Sequence, residues 1–244
     1  MRLTRAYIDA PLAPGARIAL PETAAQHLLR VLRLREGDAC VLFNGDGHDY
    51  DARIVTAGKR GGEAEVLAAR PVDNESPLRI TLVQGIARGE KMDLILQKST
   101  ELGVAAFLPA SSQRSEVKLD AERAEKRLAH WRTVVASACE QSGRARLPDV
   151  APPASLEAAV AALADNGPRL LLDPFADATT ATLEPPAGTS ITVAVGPEGG
   201  WSPRDRGTLQ SNGFTGIRLG PRVLRTETAG LAAIAALQAR FGDL

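Results

Sequence analysis

A glycine-rich break after an apolar run constrains the fold of this chain more than any other feature. The β-branched run 191–195 stops abruptly at residues 196–200, GPEGG. This pattern is typical of a buried strand that ends in a loop. Ser202, Pro203 and Asp205 then indicate the start of a helix, as N-cap, first helical residue and first-turn carboxylate.

A second predicted strand, residues 216–219, breaks in the same way at Gly220 and Pro221. The loop that follows, residues 222–228, leads into a predicted helix at 228–241 that is rich in Ala and Leu. In an open α/β sheet, ligands bind outside the carboxyl ends of the strands. We therefore expect a ligand site where these two loops meet.

The composition of the first loop limits the kind of ligand. GPEGG is neither the dinucleotide motif G-x-G-x-x-G nor the P-loop motif. The carboxylate of Glu198 would compete with a phosphate for backbone N–H groups, but it is compatible with a neutral or cationic small molecule. Gly-Pro and Gly-Gly are also ordinary turn residues, so a purely structural loop is the alternative interpretation.

Charge and cysteine content exclude several classes of protein. The 29 basic and 29 acidic residues give a net charge of zero, so any nucleic-acid surface must come from local clusters of arginine. Cys40 and Cys139 lie far apart without a C-x-x-C partner, so we expect neither a disulfide framework nor a metal site. We expect no membrane segment and no signal peptide, and a cytoplasmic location.

The amino-terminal part is predicted to be a small β-barrel. Short strand-like runs occupy residues 17–20, 39–43, 52–55 and 64–67. The sequence NGDG at 44–47 predicts a hairpin, and Gly61-Gly62 predicts another turn. The proline-containing segment 70–77 reads as a linker, which divides the chain into domains at 1–72 and 78–244.

One predicted helix, residues 21–33, interrupts these strands. Its side chains His27, Arg30 and Arg33 are three residues apart and would share one stripe. Arg2, Arg5 and Arg35 could add to this cation cluster. The stripe is either a solvated helix face or an RNA contact, because arginine suits phosphate recognition.

The carboxyl-terminal part alternates strand and helix, which predicts a parallel sheet with crossover helices. Predicted strands occupy 78–83, 104–108 and 169–172, and predicted helices occupy 90–102, 120–141 and 155–163. Lys98 and Glu101 are three apart on the first helix and are expected to form a surface ion pair. Part of the terminal helix could be buried in a subunit interface.

Five segments together resemble one family. They are KMDLILQKSTELGV at 91–104, RSEVK at 114–118, ACEQSGR at 138–144, VGPEGGWSPRD at 195–205 and LGPRVLRTETAGLAA at 219–233. In this order they are similar to the RsmE-type 16S ribosomal RNA (uracil-N3)-methyltransferases of the SPOUT superfamily. The resemblance covers nearly the whole chain, and its last two motifs are the specific ones.

The resemblance implies a fold, a cofactor and a reaction. The fold would be a small PUA-like β-barrel followed by a parallel-sheet α/β domain with a deep trefoil knot. The knot rests on the resemblance alone, because general topology rules argue against knots. The cofactor would be S-adenosylmethionine, and the protein would be a homodimer with each active site at the subunit interface. The product would be 3-methyluridine in the decoding region of the small ribosomal subunit's RNA.

The resemblance also implies site residues. The cofactor would be wrapped by Leu172, Gly196, Glu198, Gly199, Gly200, Leu219, Gly220, Arg222, Val223, Leu224 and Thr226. Arg225 is the candidate that stabilises negative charge on the uracil oxygens. Glu227 is a candidate general base, or simply a first-turn carboxylate favoured by the helix dipole. Arg30, Arg33 and Arg114 are the candidate RNA contacts, and the target base would have to flip out of structured RNA.

Three other readings stay open. A SPOUT enzyme of the same fold could methylate a ribose 2′-hydroxyl on RNA instead of a base. A non-catalytic RNA-binding or ribosome-assembly protein belongs to a second class, and the absence of cofactor binding would favour it. An enzyme that uses another nucleotide is disfavoured by the missing dinucleotide and P-loop motifs.

Overall fold

The computed structural model describes residues 4–58, 61–115, 120–164 and 167–244. The chain divides into two compact units, which are described separately. The first comprises Met1–Glu75 together with Ala136–Leu147, and the second comprises Ser76–Val135 together with Pro148–Leu244. Of the predicted features, Arg2 and residues 116–118 of the segment 114–118 lie outside the described residues.

The first unit is built on a five-stranded mixed sheet. Its strands are β1 (Arg5–Tyr7), β2 (Arg17–Ala19), β3 (Ala39–Phe43), β4 (His48–Gly58) and β5 (Gly61–Pro71). Their order is β1-β3-β4-β5-β2, with β1 parallel to β3 and the other pairs antiparallel. The hairpin predicted at residues 44–47 is confirmed, since it joins β3 to β4. Sequence patterns missed β1.

The helix predicted at residues 21–33 is wrong in form and length. A short helix, α1 (Glu22–Ala25), continues as a π-helix, Gln26–Val31. Its i→i+5 turn, in which Leu32 N donates to His27 O at 3.0 Å, is wider than an α-turn. Residues three apart therefore do not stack on one stripe, and Arg33 lies beyond the helix with a φ of 58°. Arg30 and Arg33 are nevertheless both exposed to solvent.

Buried arginines attach the segment Ala136–Leu147 to this unit. Arg5 is 6% exposed; it pairs with Asp49 at 2.6 Å and donates to the carbonyl of Cys139 at 2.8 Å. Arg144 is 5% exposed and pairs with Glu75 at 2.5 Å. Because Arg5 is buried among these partners, its predicted place in a surface cation cluster is wrong.

The second unit is the predicted parallel α/β fold. Its elements are β6 (Arg79–Gly85), α2 (Glu90–Glu101), β7 (Val104–Ser111), the first part of α3 (Ala121–Ser142), β8 (Asp149–Val150), β9 (Ala154–Ser155), α4 (Leu156–Ala161), β10 (Arg169–Leu172), β11 (Ser190–Val195), α5 (Pro203–Ser211), β12 (Phe214–Ile217) and α6 (Thr226–Phe241). From Ala136 onward α3 belongs to the first unit. The strands follow the order β12-β10-β11-β6-β7-β8, with β9 beside β7, and every pair is parallel. The trefoil knot stays a prediction, because strand order does not specify how the chain threads.

The strand β11 lies in the middle of this sheet and is covered on both faces. Residues 191–195 are all buried. Alternate side chains enter two separate apolar clusters, with Ile191 and Val193 in one and Ala194 in the other. Since both faces are buried, the strand reads as a continuous apolar run rather than as an alternating one.

Helix ends follow the predicted capping chemistry, with shifted boundaries near the site. Ser202 accepts from Asp205 N at 3.1 Å and Asp205 accepts from Ser202 N at 2.9 Å, a reciprocal capping box. The strand predicted at 216–219 is Phe214–Ile217, and the terminal helix begins at Thr226 instead of residue 228. The ion pair between Lys98 and Glu101 is confirmed at 2.9 Å.

Glycine is required where β6 passes the GPEGG loop. A Cβ atom on Gly85 would lie 2.4 Å from Pro197 Cδ and 2.5 Å from Pro197 N. Real Cβ atoms do not approach backbone this closely, so a larger residue would push the strand end and the loop apart. Gly207, on the exposed side of α5, has no atom within 4 Å of the same position.

We expect Gly85→Ala to lower the free energy of unfolding by about 1–3 kcal/mol, because the added methyl overpacks the interior. The matched change Gly207→Ala should raise it by about 0.5–1 kcal/mol, because alanine favours a helix interior over glycine. Urea unfolding followed by circular dichroism measures both. Equal effects of the two substitutions would contradict the close packing of Gly85 against Pro197.

Candidate functional site

A cavity of about 480 Å³ lies at the carboxyl ends of β10, β11 and β12, which are neighbours in the sheet order. The two glycine-containing loops predicted to meet do share this cavity. The predicted site residues that line it are Arg114, Leu172, Gly196, Glu198, Gly199, Gly200, Leu219, Gly220, Arg222, Val223, Leu224, Arg225, Thr226 and Glu227. Arg30 and Arg33 belong to the other unit and are not part of its lining.

Backbone conformation at two glycines opens the loops to a ligand. Gly200 has a φ of 65° and Gly220 has a φ of 101°, a region that side-chain-bearing residues rarely adopt. Apart from their chain neighbours, no atom of a described residue lies within 4 Å of the Cβ position of either glycine. The backbone there is not covered by side chains, so a small molecule can approach it closely, while the N–H of Gly200 donates to Pro197 O at 2.8 Å.

A buried set of hydrogen bonds ties the first loop to the rest of the unit. The hydroxyl of Thr226 donates to the carbonyl of Gly196 at 2.6 Å. The side-chain amide of Gln84, which is fully buried, donates to that hydroxyl at 3.1 Å and to Gly85 O at 2.8 Å. The loop is thus fixed both to the first turn of α6 and to the end of β6.

These contacts give Thr226 a local role that sequence reasoning did not foresee. Its hydroxyl holds the loop 196–200, whereas the resemblance placed Thr226 among the cofactor-binding residues, which stays a prediction. Sequence analysis also missed Gln84. Its sequence offered one signal, a single polar residue at the end of an apolar strand. A buried amide at such a position needs hydrogen-bond partners, so it marks a place where other elements pack.

Glu198 is held by the connection between β6 and α2. Its Oε1 accepts from the backbone N–H of Arg88 at 3.1 Å and lies 3.4 Å from Nζ of Lys91. Partial burial by itself would raise the pKa of Glu198. The N–H groups of Arg88 and of Glu198 itself, together with the Lys91 ammonium, outweigh burial and hold that pKa below the usual value for glutamate. The carboxylate therefore fixes the loop.

Lys91 also reaches the carboxylate of Glu227, at 3.8 Å from Oε2. That oxygen is buried and has no hydrogen-bond partner in the described part of the chain. Glu227 lies in the first turn of α6, where the helix dipole favours a carboxylate, as the alternative interpretation of this residue expected. Sequence reasoning missed Lys91 as a site residue, although Lys91 begins the family segment 91–104, because its helix lies far in sequence from the two carboxylates that it contacts.

The cavity carries more positive than negative side chains. Its basic lining residues are Lys91, Arg114, Arg206, Arg218, Arg222 and Arg225, and its acidic ones are Asp173, Glu198 and Glu227. Arg206 pairs with Asp173, and Arg114 donates to Gly199 O at 3.1 Å. In a chain of zero net charge this local surplus favours an anionic partner at the cavity.

Two buried donors on the lining residues have no partner in the described part of the chain. They are the indole Nε1 of Trp201 and the Nε of Arg218. Both atoms are buried beneath the cavity surface, so they do not face a ligand in the cavity. Sequence reasoning did not single out either residue as part of the cavity lining.

The described residues contain no group of three or more metal-binding side chains. Within the same ranges, every helix is too short or too polar to cross a bilayer.

Two family models match the chain. One, described as an RNA methyltransferase domain, matches residues 74–238. The other, described as an RNA methyltransferase PUA domain, matches residues 20–67. The first match covers more than half of the chain and includes every element that lines the cavity.

Relatives match along the full length. A ribosomal RNA small subunit methyltransferase E from Neisseria gonorrhoeae, solved bound to S-adenosyl methionine, is 42% identical with a TM-score of 0.91, covering 100% of both chains. The ribosomal RNA small subunit methyltransferase E of Buchnera aphidicola subsp. Schizaphis graminum is 33% identical over 243 residues, or 100% of this chain and 98% of that protein. The Bacillus subtilis protein of the same name is 31% identical over 221 residues, covering 86% and 85%.

These matches confirm the resemblance drawn from the five sequence segments, and they agree with the mixed sheet and the parallel α/β unit. The chain belongs to the RNA methyltransferase family that includes ribosomal RNA small subunit methyltransferase E.

Proposed function

We propose that this chain transfers a methyl group from S-adenosylmethionine to N3 of one uridine in 16S ribosomal RNA. The observation that carries the proposal is the cavity at the ends of β10, β11 and β12, where two bare glycine loops meet a surplus of arginine. The family membership and the relative that was solved bound to S-adenosyl methionine support it.

The residues present fit the methyl donor. A cavity of about 480 Å³ falls within the range of small-molecule sites, roughly 300–1,000 Å³. Gly200 and Gly220 leave open space beside the loop backbone, so a ligand can approach that backbone closely. The binding residues would be Leu172, the loop 196–200 and the segment 219–226. When bound, the donor supplies a methyl carbon attached to a positively charged sulfur.

The chain's own groups would prepare the uracil. Its N3–H proton must be lost, which leaves negative charge spread over the ring oxygens. Arg225 lines the cavity, is exposed to its solvent, and can donate to those oxygens. Glu227 lines the same cavity, and its carboxylate can accept the proton.

The remaining assignments follow from the same proposal. The target lies in structured RNA, so the base would flip out to enter the cavity. The domain at 1–72 would contribute RNA contacts through Arg30 and Arg33, while Arg114 would contact RNA at the cavity of the domain at 78–244. The working form would be a cytoplasmic homodimer acting on 16S RNA or the small ribosomal subunit.

Mass spectrometry of nucleosides from ribosomal RNA tests the function. We expect a strain that lacks this gene to lose 3-methyluridine from its 16S RNA and to regain it when the gene is supplied on a plasmid. Loss of a 2′-O-methylated nucleoside instead would identify a ribose methyltransferase. Unchanged nucleosides, together with no binding of S-adenosylmethionine, would identify a non-catalytic RNA-binding protein.

Arg225→Ala is expected to lower methyl transfer about 10²–10³-fold, the usual cost of losing a donor to a developing oxyanion. The affinity for S-adenosylmethionine should stay within a few-fold, because backbone groups supply that site. Tritium transfer and calorimetry measure the two quantities. The control is Arg123→Ala on α3, a 72% exposed side chain outside the cavity. Unchanged turnover in Arg225→Ala would remove this residue from the mechanism.

Reversing both charges of Arg30 and Arg33 to glutamate is expected to weaken RNA binding at least tenfold, and more strongly at low salt. Cofactor affinity should not change, because neither residue lines the cavity. Filter binding at two salt concentrations measures the effect. Reversing Arg123 and Lys126, both exposed on α3, changes the net charge equally and serves as the control. Equal RNA affinity of the two variants would contradict a local contact.

A further inference from the structure

Lys91 bridges two walls of the cavity. Its ammonium lies 3.4 Å from Oε1 of Glu198, in the loop after β11, and 3.8 Å from Oε2 of Glu227, in the first turn of α6. Its side chain is 34% exposed. One cation from α2 thus holds together two elements that lie about thirty residues apart in sequence and only meet in the fold.

The position of Lys91 within its own helix makes this contact informative. It is the second residue of α2, and the first turn also holds Glu90 and Asp93. The amino end of a helix carries partial positive charge, so a cation there is disfavoured. Carboxylates on facing elements, Glu198 and Glu227, offset that cost. The placement is explained by what Lys91 faces across the cavity.

The two carboxylates depend on Lys91 to different degrees. Glu198 is also held by the backbone N–H of Arg88 at 3.1 Å. The Oε2 of Glu227 has no hydrogen bond in the described ranges, and Lys91 is its nearby cation. Both carboxylates lie within reach of one ammonium, so without it two like charges would face each other and repel. Glu227 would be the one free to move.

We propose that Lys91 is a positioning residue for methyl transfer and that it holds Glu227 where this carboxylate can take the uracil proton. The inference rests on the proposed function. In the step concerned the N3–H bond breaks, an O–H bond forms on Glu227, and the electron pair stays on N3. Lys91 neither gains nor loses a proton in it.

Lys91→Met removes the charge and keeps most of the aliphatic stem. We expect kcat to fall about tenfold or more while KM for RNA changes less than about twofold, because the interaction acts on the reacting geometry and not on substrate binding. Lys91→Arg should recover most of the rate, since a guanidinium also pairs with carboxylates. The control is Lys98→Met on the same helix, which breaks only the surface pair with Glu101. An unchanged kcat in Lys91→Met would overturn the inference.

A double-mutant cycle separates action through Glu227 from any other role. In the Glu227→Gln background, Lys91→Met should cause no further loss of kcat, because the group it positions is already gone. A full additional tenfold loss would show that Lys91 acts elsewhere and would overturn the inference. Thermal unfolding of each variant checks folding, and Lys91→Gln replaces Lys91→Met if the latter does not fold.

A titration without cofactor or RNA tests the contact itself. Lys91 contributes to the lowered pKa of Glu198, so removing it should move the Glu198 titration to higher pH. Carbon NMR of the side-chain carboxyls, assigned with Glu198→Gln, measures this in wild type, Lys91→Met and Lys98→Met. An unchanged titration would overturn the contact. A shifted titration in a protein that methylates no uridine would leave the contact standing and remove the proposed function instead.

Discussion

The hydrogen bond from the Thr226 hydroxyl to the Gly196 carbonyl is the contact on which the rest of the site depends. This bond, 2.6 Å long and partly buried, is supported by Gln84 and joins the start of α6 to the start of the GPEGG loop. Each loop alone is a short, glycine-containing connection with many accessible conformations. Joined at this point, the two loops enclose a cavity, so the binding surface is a tertiary feature.

Two further constraints hold the same loop. Gly85 gives the chain room to pass Pro197, and Glu198 is anchored to the N–H of Arg88 and to Lys91. These contacts all come from the end of β6 and the start of α2. Because β6 neighbours β11 in the sheet, its end is a nearby rigid support for the loop. Lys91 and Glu198 also line the cavity, so contacts that fix the loop form part of the binding surface.

The sequence predicted the parts of this arrangement that local patterns encode. The apolar run 191–195 predicted a central strand, and Ser202 with Asp205 predicted a capped helix. The meeting of the two loops could also be predicted, since parallel strands present their carboxyl ends on one edge. Local sequence patterns could not reveal Lys91 or Gln84 as site residues, because their partners lie more than one hundred residues away. The prediction that His27, Arg30 and Arg33 share one helix face was wrong. Helical periodicity assumes 3.6 residues per turn, whereas the chain forms a π-helix there.

Charge placement in the cavity fits the two partners of the proposed function. A sulfonium donor would favour nearby carboxylates, whereas an RNA acceptor and the uracil anion formed on it would favour arginine. The lining resolves this conflict by pairing. Glu198 and Glu227 share Lys91, and Asp173 is matched by Arg206. Arg222 and Arg225, both exposed, then present positive charge at the opening. Partly buried carboxylates balanced by cations, with exposed arginines around them, let one cavity accept partners of opposite charge.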